Sequence, residues 1–128
     1  MSFVSEDNIY KYELEYDEEP DEKEIIIGTE HEFWKEYIHD KCYISGSHLV
    51  MYLNETGIFI KDIARTNDTT LNGNRLEKGV FFELHNGDKI IMGVPTRDYL
   101  RNISEMTIAN KKMAAFTVFI EEDANEWK

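Results

Sequence analysis

Apolar and charged residues alternate strictly near the start of the chain. Within Ile9–Tyr16, the even-numbered positions are tyrosine or leucine, and positions 11, 13 and 15 are lysine or glutamate. This period of two predicts a β-strand with one face in the core and the other in water. Glu24–Gly28 differs because three consecutive isoleucines precede its glycine. It predicts a strand that is buried on both faces.

Short β-favouring runs recur along the rest of the chain and are separated by turn-forming residues. The turn signals include Ser45-Gly46-Ser47, Asn54–Gly57 and His85–Asp88. Their regular spacing is typical of an all-β sandwich of two sheets, for which we predict about ten or eleven strands. The further predicted strands are Lys41–Ile44, Leu49–Leu53, Ile58–Asp62, Val80–Leu84, Lys89–Met92 and Met113–Glu121.

Three stretches lack the strand pattern. Glu30–Asp40 has apolar residues at helix-like spacing but is short, so it predicts one helical turn or a structured loop. Asn67–Asn74 is polar and rich in asparagine, and it predicts a loop that leads into a tight Asn72-Gly73 turn. Residues 94–112 have apolar positions at helical intervals, which predicts a surface helix or loop inserted before the last strand.

The composition favours a single folded domain over residues 1–128. Hydrophobic residues make up 41% of the chain and aromatic residues 12%, which is enough to build a core. The chain has 26 Asp+Glu against 14 Lys+Arg, so its formal net charge is −12. Because nucleic acids and anionic membranes repel such a surface, we expect neither of them as a partner.

Cysteine use and the first residues indicate a compartment. Cys42 is the single cysteine, so the chain cannot form an internal disulfide. The first residues show neither the basic nor the apolar region of a secretory signal, and no apolar run approaches the ~20 residues of a membrane helix. We therefore expect a protein of the nucleus or cytoplasm, where thiols stay reduced.

The sequence offers little support for catalysis. His31, His39, Cys42 and His48 match no compact metal-binding spacing. The sequence contains neither of the two glycine-rich patterns that bind nucleotide phosphates, G-x-x-x-x-G-K-[ST] and G-x-G-x-x-G. We expect no catalytic residues, no metal and no cofactor. A hydrolytic or metal-dependent activity around the three histidines is the least favoured hypothesis.

Five short motifs follow one another between Gly28 and Gly93. They are Gly28 itself, Ser45-Gly46-Ser47-His48, Asp62–Thr69, Asn72–Leu76 and Asn86–Gly93. In this order they resemble the forkhead-associated (FHA) domain, whose pattern runs G-R, S-x-x-H, D-x-G-S-T-N-G-T, N-G-x-x-L and G-D-x-I-x-x-G. Each motif is weak alone, but the ordered set is specific.

The resemblance implies a two-sheet β-sandwich whose loops at one end bind a phosphothreonine peptide, usually in signalling proteins. Guanidinium, hydroxyl and backbone N–H groups suit a dianionic phosphate because charge-assisted hydrogen bonds are strong. By matching, Ser45 and the adjacent Gly46 lie at the phosphate, and Thr66 and Asn67 touch the phosphate region and the peptide main chain. The matched residues with a structural role are Gly28, His48, Asn72, Gly73, Gly87, Asp88 and Gly93.

Four departures from the family pattern affect the predicted binding loops. Thr29 stands where the family has its main phosphate-binding arginine, and Asp68 replaces a glycine beside the phosphate. Ala64 and Arg65 replace the glycine and serine of the same loop. Loss of one guanidinium contact removes about 1.5–3 kcal/mol of binding free energy, and Asp68 is expected to add like-charge repulsion.

Two functions therefore remain for the predicted loops, of which the first is favoured. In the first, the domain is a non-catalytic interaction module that binds a basic or uncharged protein, or a second copy of itself, without needing phosphothreonine. In the second, it binds a phosphothreonine peptide through Ser45, Thr66, Asn67 and a relocated cation, either Arg65 or Lys41.

Overall fold

The computed structural model describes residues 1–14, 22–95 and 112–120. Within these ranges the chain forms ten β-strands and one short α-helix, α1 (Lys35–Ile38). The strands, in chain order, are β1 (Ser2–Ser5), β2 (Lys11–Glu13), β3 (Lys23–Ile27), β4 (Leu49–Asn54), β5 (Gly57–Asp62), β6 (Asp68–Leu71), β7 (Asn74–Arg75), β8 (Phe81–Glu83), β9 (Lys89–Val94) and β10 (Ala114–Phe119).

The strands form two antiparallel sheets that enclose one hydrophobic core. One sheet has six strands in the order β2-β1-β10-β9-β6-β7, and the other has four in the order β3-β4-β5-β8. In β5, Ile58 and Ile60 are buried while Phe59 and Lys61 between them are half-buried, as expected for a strand with one inward face. The predicted all-β, two-sheet sandwich is confirmed.

The isoleucine-rich strand β3 is less buried than the sequence predicts. Ile27 is buried, but Ile25 and Ile26 are half-buried. The reason is that β3 lies at the edge of its sheet and pairs with β4 alone. The prediction of a strand was correct, and the prediction that both of its faces are buried was wrong.

The structure differs from the prediction in three other places. Lys41–Ile44 is a turn closed by a hydrogen bond from the Ile44 N–H to the Lys41 carbonyl at 3.0 Å, and not a strand. Asn67–Asn74 is not only a loop, since β6 occupies Asp68–Leu71 and pairs with β9. Strand β1 was not predicted at all. Its four residues are too few to show a pattern, yet they pair with both β2 and β10.

Turns and boundaries agree better with the sequence. Asn72 and Gly73 both have positive φ, 52° and 88°, and form the predicted tight turn between β6 and β7. The described parts of the predicted strands Ile9–Tyr16 and Met113–Glu121 contain β2 and β10, and residues 15, 16 and 121 lie outside the described residues. Most of the predicted insertion, residues 96–111, lies outside the described residues.

The segment around α1 contributes aromatic residues to the core. Trp34 precedes the helix with a left-handed backbone (φ 55°) and is only 1% exposed. Its ring lies 4.9 Å from that of Tyr37 and 5.4 Å from that of Phe116 in β10. The predicted helical turn is confirmed, and aromatic contacts with β10 hold it in place.

No helix in the described parts of the chain is long and apolar enough to cross a membrane.

The Tyr37 hydroxyl fastens α1 to β10. It donates to the Ala115 carbonyl at 3.0 Å and accepts from the Ala115 N–H at 3.1 Å. Burial raises the pKa of Tyr37 to about 12, so the hydroxyl keeps its proton at physiological pH.

We predict that Tyr37→Phe lowers the free energy of unfolding by about 1–3 kcal/mol, because the buried Ala115 N–H loses its partner. The Ala115 carbonyl keeps a second hydrogen bond, from the Glu6 N–H at 2.8 Å. Urea denaturation measures the change. Tyr10→Phe is the matched control, since the Tyr10 ring stacks on Tyr37 at 5.0 Å but its hydroxyl makes no hydrogen bond among the described residues. Equal effects of the two substitutions would contradict this role of the Tyr37 hydroxyl.

Candidate functional site

The first loop of the candidate site follows β3 and packs directly on the Ser45-Gly46 turn. The Thr29 N–H donates to the Ser45 carbonyl at 3.1 Å, and the Glu30 N–H donates to the Gly46 carbonyl at 3.2 Å. A Cβ atom on Gly28 would overlap the Gly46 carbonyl oxygen. Only glycine therefore lets the two segments approach this closely.

A buried histidine shapes the second loop. His48 is 0% exposed, and its Nδ1 accepts a hydrogen bond from the Ser45 N–H at 3.0 Å. This bond requires an unprotonated Nδ1, so the ring is neutral with its proton on Nε2. Burial lowers the pKa of His48 to about 4, although the nearby Asp62 carboxylate opposes that shift. His48 therefore acts as a fixed acceptor that holds Ser45 in place.

A buried carboxylate shapes the third loop, which follows β5. Asp62 is 0% exposed, and its two oxygens accept from the Ala64 N–H at 2.9 Å and the Thr69 N–H at 3.1 Å. The loop between these residues then reaches the second loop, where the Arg65 N–H donates to Ser45 Oγ at 3.3 Å. The structure thus brings together Thr29, Ser45 and Arg65.

The remaining predicted binding residues have different surroundings. Thr66 is exposed beside Arg65. Asn67 directs its amide into the protein and donates to the Tyr43 carbonyl at 2.9 Å. Arg65 is exposed and forms no ion pair among the described residues. The Lys41 ammonium instead lies 4.9 Å above the Tyr37 ring and 3.9 Å from Asp40.

Two cationic side chains contact the Asp68 carboxylate, and the sequence alone did not predict these contacts. Arg75 donates to one Asp68 oxygen at 2.6 Å, and Lys78 lies 3.2 Å from the other. Lys78 also lies 3.5 Å from Asp62 and donates to the Asn67 carbonyl at 3.1 Å. These contacts offset the repulsion that the sequence predicts between Asp68 and a phosphate.

Glu30 also lies in the candidate site, although no motif in the sequence points to it. A Cβ atom built on Gly46 would lie 2.8 Å from each oxygen of the Glu30 carboxylate. The carboxylate therefore covers Gly46 on the side that a side chain would occupy. In the sequence, Glu30 is simply a glutamate two positions after Gly28. Its contact with Gly46 depends on how the first and second loops pack together.

The other matched residues shape turns near the loops or at the far end of the strands. Asn72 donates through its amide to Asp88 at 2.9 Å, and its carbonyl oxygen accepts from the Lys89 N–H at 2.9 Å. Gly87 has φ 89°, a conformation that suits glycine. Gly93 has φ 90° and packs against Tyr43, so a Cβ there would lie 3.1 Å from that side chain.

The histidines considered as metal ligands make separate contacts. His31 Nε2 lies 2.8 Å from Ser47 Oγ, and His39 Nδ1 lies 3.0 Å from the Lys35 carbonyl oxygen. Within the described ranges, no three His, Cys, Asp or Glu side chains are arranged to hold a metal ion. Cys42 is exposed and free.

The part of the chain from β3 to β9 matches the model of a known protein family. Residues 25–93, more than half of the chain, match the FHA domain model. The chain belongs to the FHA domain family. The matched region of this FHA domain includes all three loops described above and the turn at Asn72-Gly73. The resemblance inferred from the five motifs is therefore confirmed.

Solved structures support the same fold. The N-terminal FHA domain of S. cerevisiae Rad53p, in complex with a phosphothreonine peptide, is 21% identical with a TM-score of 0.69, covering 99% of this chain and 98% of that one. An engineered FHA domain with a Myc-pTBD peptide is 20% identical with a TM-score of 0.66, covering 98% and 94%. The FHA1 domain of yeast Rad53 is 22% identical with a TM-score of 0.68, covering 98% and 79%. Among curated proteins, none matched the sequence.

We predict that His48 makes the stability of the domain fall in mild acid. The unfolded chain binds a proton at this histidine below about pH 6.5, but the folded chain does so only below about pH 4. The stabilisation is therefore complete above pH 6.5 and is lost progressively toward pH 4, by up to about 3 kcal/mol.

Chemical denaturation between pH 7 and pH 4 measures this effect. In His48→Asn, the amide oxygen can still accept from the Ser45 N–H but does not titrate, so its stability is expected to fall less than that of the wild type. His39→Asn is the control, since His39 is exposed. Parallel pH profiles for the wild type and His48→Asn would refute the assignment.

Proposed function

We propose that this FHA domain is a non-catalytic protein-interaction module whose binding does not depend on phosphothreonine. The observation that carries the proposal is Thr29. It follows Gly28 and pairs through its backbone with Ser45, at the position where the FHA pattern has arginine. A threonine side chain is uncharged, so it cannot form an ion pair with a dianionic phosphate. Loss of that contact, about 1.5–3 kcal/mol, weakens phosphate binding by one to two orders of magnitude.

Charge indicates the kind of partner. The chain has a net charge of −12, which favours a basic or uncharged protein over an acidic or phosphorylated one. Two copies of the chain would repel each other at that charge, so self-association is the weaker option. We place the interaction in the nucleus or cytoplasm, where the exposed Cys42 thiol stays reduced.

A second candidate function is binding of a phosphothreonine peptide. It is favoured by Arg65, an exposed guanidinium without an ion pair among the described residues, whose backbone N–H bonds Ser45 Oγ. Ser45, Thr66 and Asn67 would complete that site. Of the two relocated cations considered, Arg65 has the better support, because Lys41 packs over the Tyr37 ring. The similar Rad53p domain was solved with a phosphothreonine peptide.

Titration with a degenerate phosphothreonine peptide library and its unphosphorylated counterpart separates the two functions. We expect the phosphorylated library to bind no more tightly than its unphosphorylated counterpart, since the loops lack the arginine contact that would favour the phosphate. Isothermal titration calorimetry measures both affinities. Micromolar binding that requires the phosphate would refute the proposed function.

If phosphate-dependent binding is found, Arg65→Ala tests the second candidate. It should weaken that binding by about tenfold or more, as expected when a guanidinium leaves an anion. The matched control is Lys23→Ala, in the exposed start of β3. Equal effects of the two substitutions would exclude Arg65 as the relocated cation.

A further inference from the structure

Glu30 holds a carboxylate against the part of the loop where the FHA resemblance places an anion. Its position is set by the backbone, because the Thr29 N–H bonds the Ser45 carbonyl and the Glu30 N–H bonds the Gly46 carbonyl. The His31 N–H then closes a turn to the Gly28 carbonyl at 3.2 Å. The segment that carries Glu30 is therefore fixed relative to the Ser45-Gly46 turn.

Gly46 makes the close approach of the carboxylate possible. A Cβ at this position would lie 2.5 Å from the Glu30 carboxyl carbon, which is far below contact distance. With hydrogen in that place, the carboxylate rests directly on the turn. The same turn presents Ser45, whose hydroxyl oxygen accepts from the Arg65 N–H on the opposite loop.

The carboxylates of Glu30 and Asp68 differ in their ion pairs. Within the described ranges Glu30 takes part in no ion pair, whereas Asp68 on the neighbouring loop contacts both Arg75 and Lys78. Glu30 is exposed, so its field reaches a ligand that approaches Gly46. A second anion at this place would be repelled, and a cation would be attracted.

We propose that Glu30 determines the specificity of the loop surface: its carboxylate covers Gly46, excludes a phosphate group and favours a lysine or arginine side chain of the partner. This inference rests on the proposed function. It names Glu30 as the residue that determines the charge of the ligand and the kind of side chain that binds. It differs from the effect of Thr29, which removes an attraction but adds no repulsion.

Substitution of Glu30 by glutamine tests the inference. The probes are two degenerate peptide libraries that differ only at the central residue, which is phosphothreonine in one and lysine in the other. In Glu30→Gln we expect affinity for the phosphothreonine library to rise by about tenfold and affinity for the lysine library to fall. Adding Thr29→Arg should raise phosphothreonine affinity further, because a guanidinium then faces the phosphate.

Glu36→Gln is the matched control. Glu36 is an exposed glutamate of α1, so this substitution removes the same charge from the domain but away from Gly46. If Glu30→Gln and Glu36→Gln change both affinities equally, or if Glu30→Gln does not raise phosphothreonine affinity, the proposal is overturned. The library preference of the wild type tests the proposed function separately, since the present inference concerns only the change caused by residue 30.

Discussion

The three loops at one end of the sandwich depend on two buried polar side chains, His48 and Asp62. His48 accepts from the partly buried Ser45 N–H, and Asp62 accepts from the buried N–H groups of Ala64 and Thr69. An unpaired buried polar group costs about 1–3 kcal/mol, so these bonds strongly favour a single loop arrangement. None of them uses the side chain of residue 29. The loop framework of an FHA domain can therefore exist without the arginine of the family pattern.

The carboxylate that is left without an ion pair on these loops is not the one that the sequence suggests. Asp68 looked like the residue that would repel phosphate, but Arg75 and Lys78 contact its carboxylate. No sequence motif includes Glu30, yet its carboxylate lies against Gly46 and forms no ion pair among the described residues. The charges that matter at a loop surface are the ones left without partners, and these are set by packing and not by position in a motif.

Local patterns in the sequence predicted most of the sandwich and the location of the loops. Alternation and turn residues identified β4, β5, β8, β9 and β10, and Asn-Gly identified the turn between β6 and β7. The failures have a common physical cause. Strand β1 and the polar strand β6 are stabilised by pairing with distant strands, and the 41–44 segment bonds to itself as a turn. The position of Glu30 likewise depends on contact between loops sixteen residues apart, Glu30 and Gly46.

The proposal that Glu30 determines ligand charge requires its carboxylate to lie against Gly46 in solution. Proton NMR of the wild-type domain tests it most directly, through nuclear Overhauser contacts between the Glu30 γ-methylene and the Gly46 α-protons. The account predicts that these contacts are present, and that the Gly46 amide resonance stays in place when inorganic phosphate is added. Absence of the contacts, together with a saturable shift of the Gly46 amide with phosphate, would contradict it.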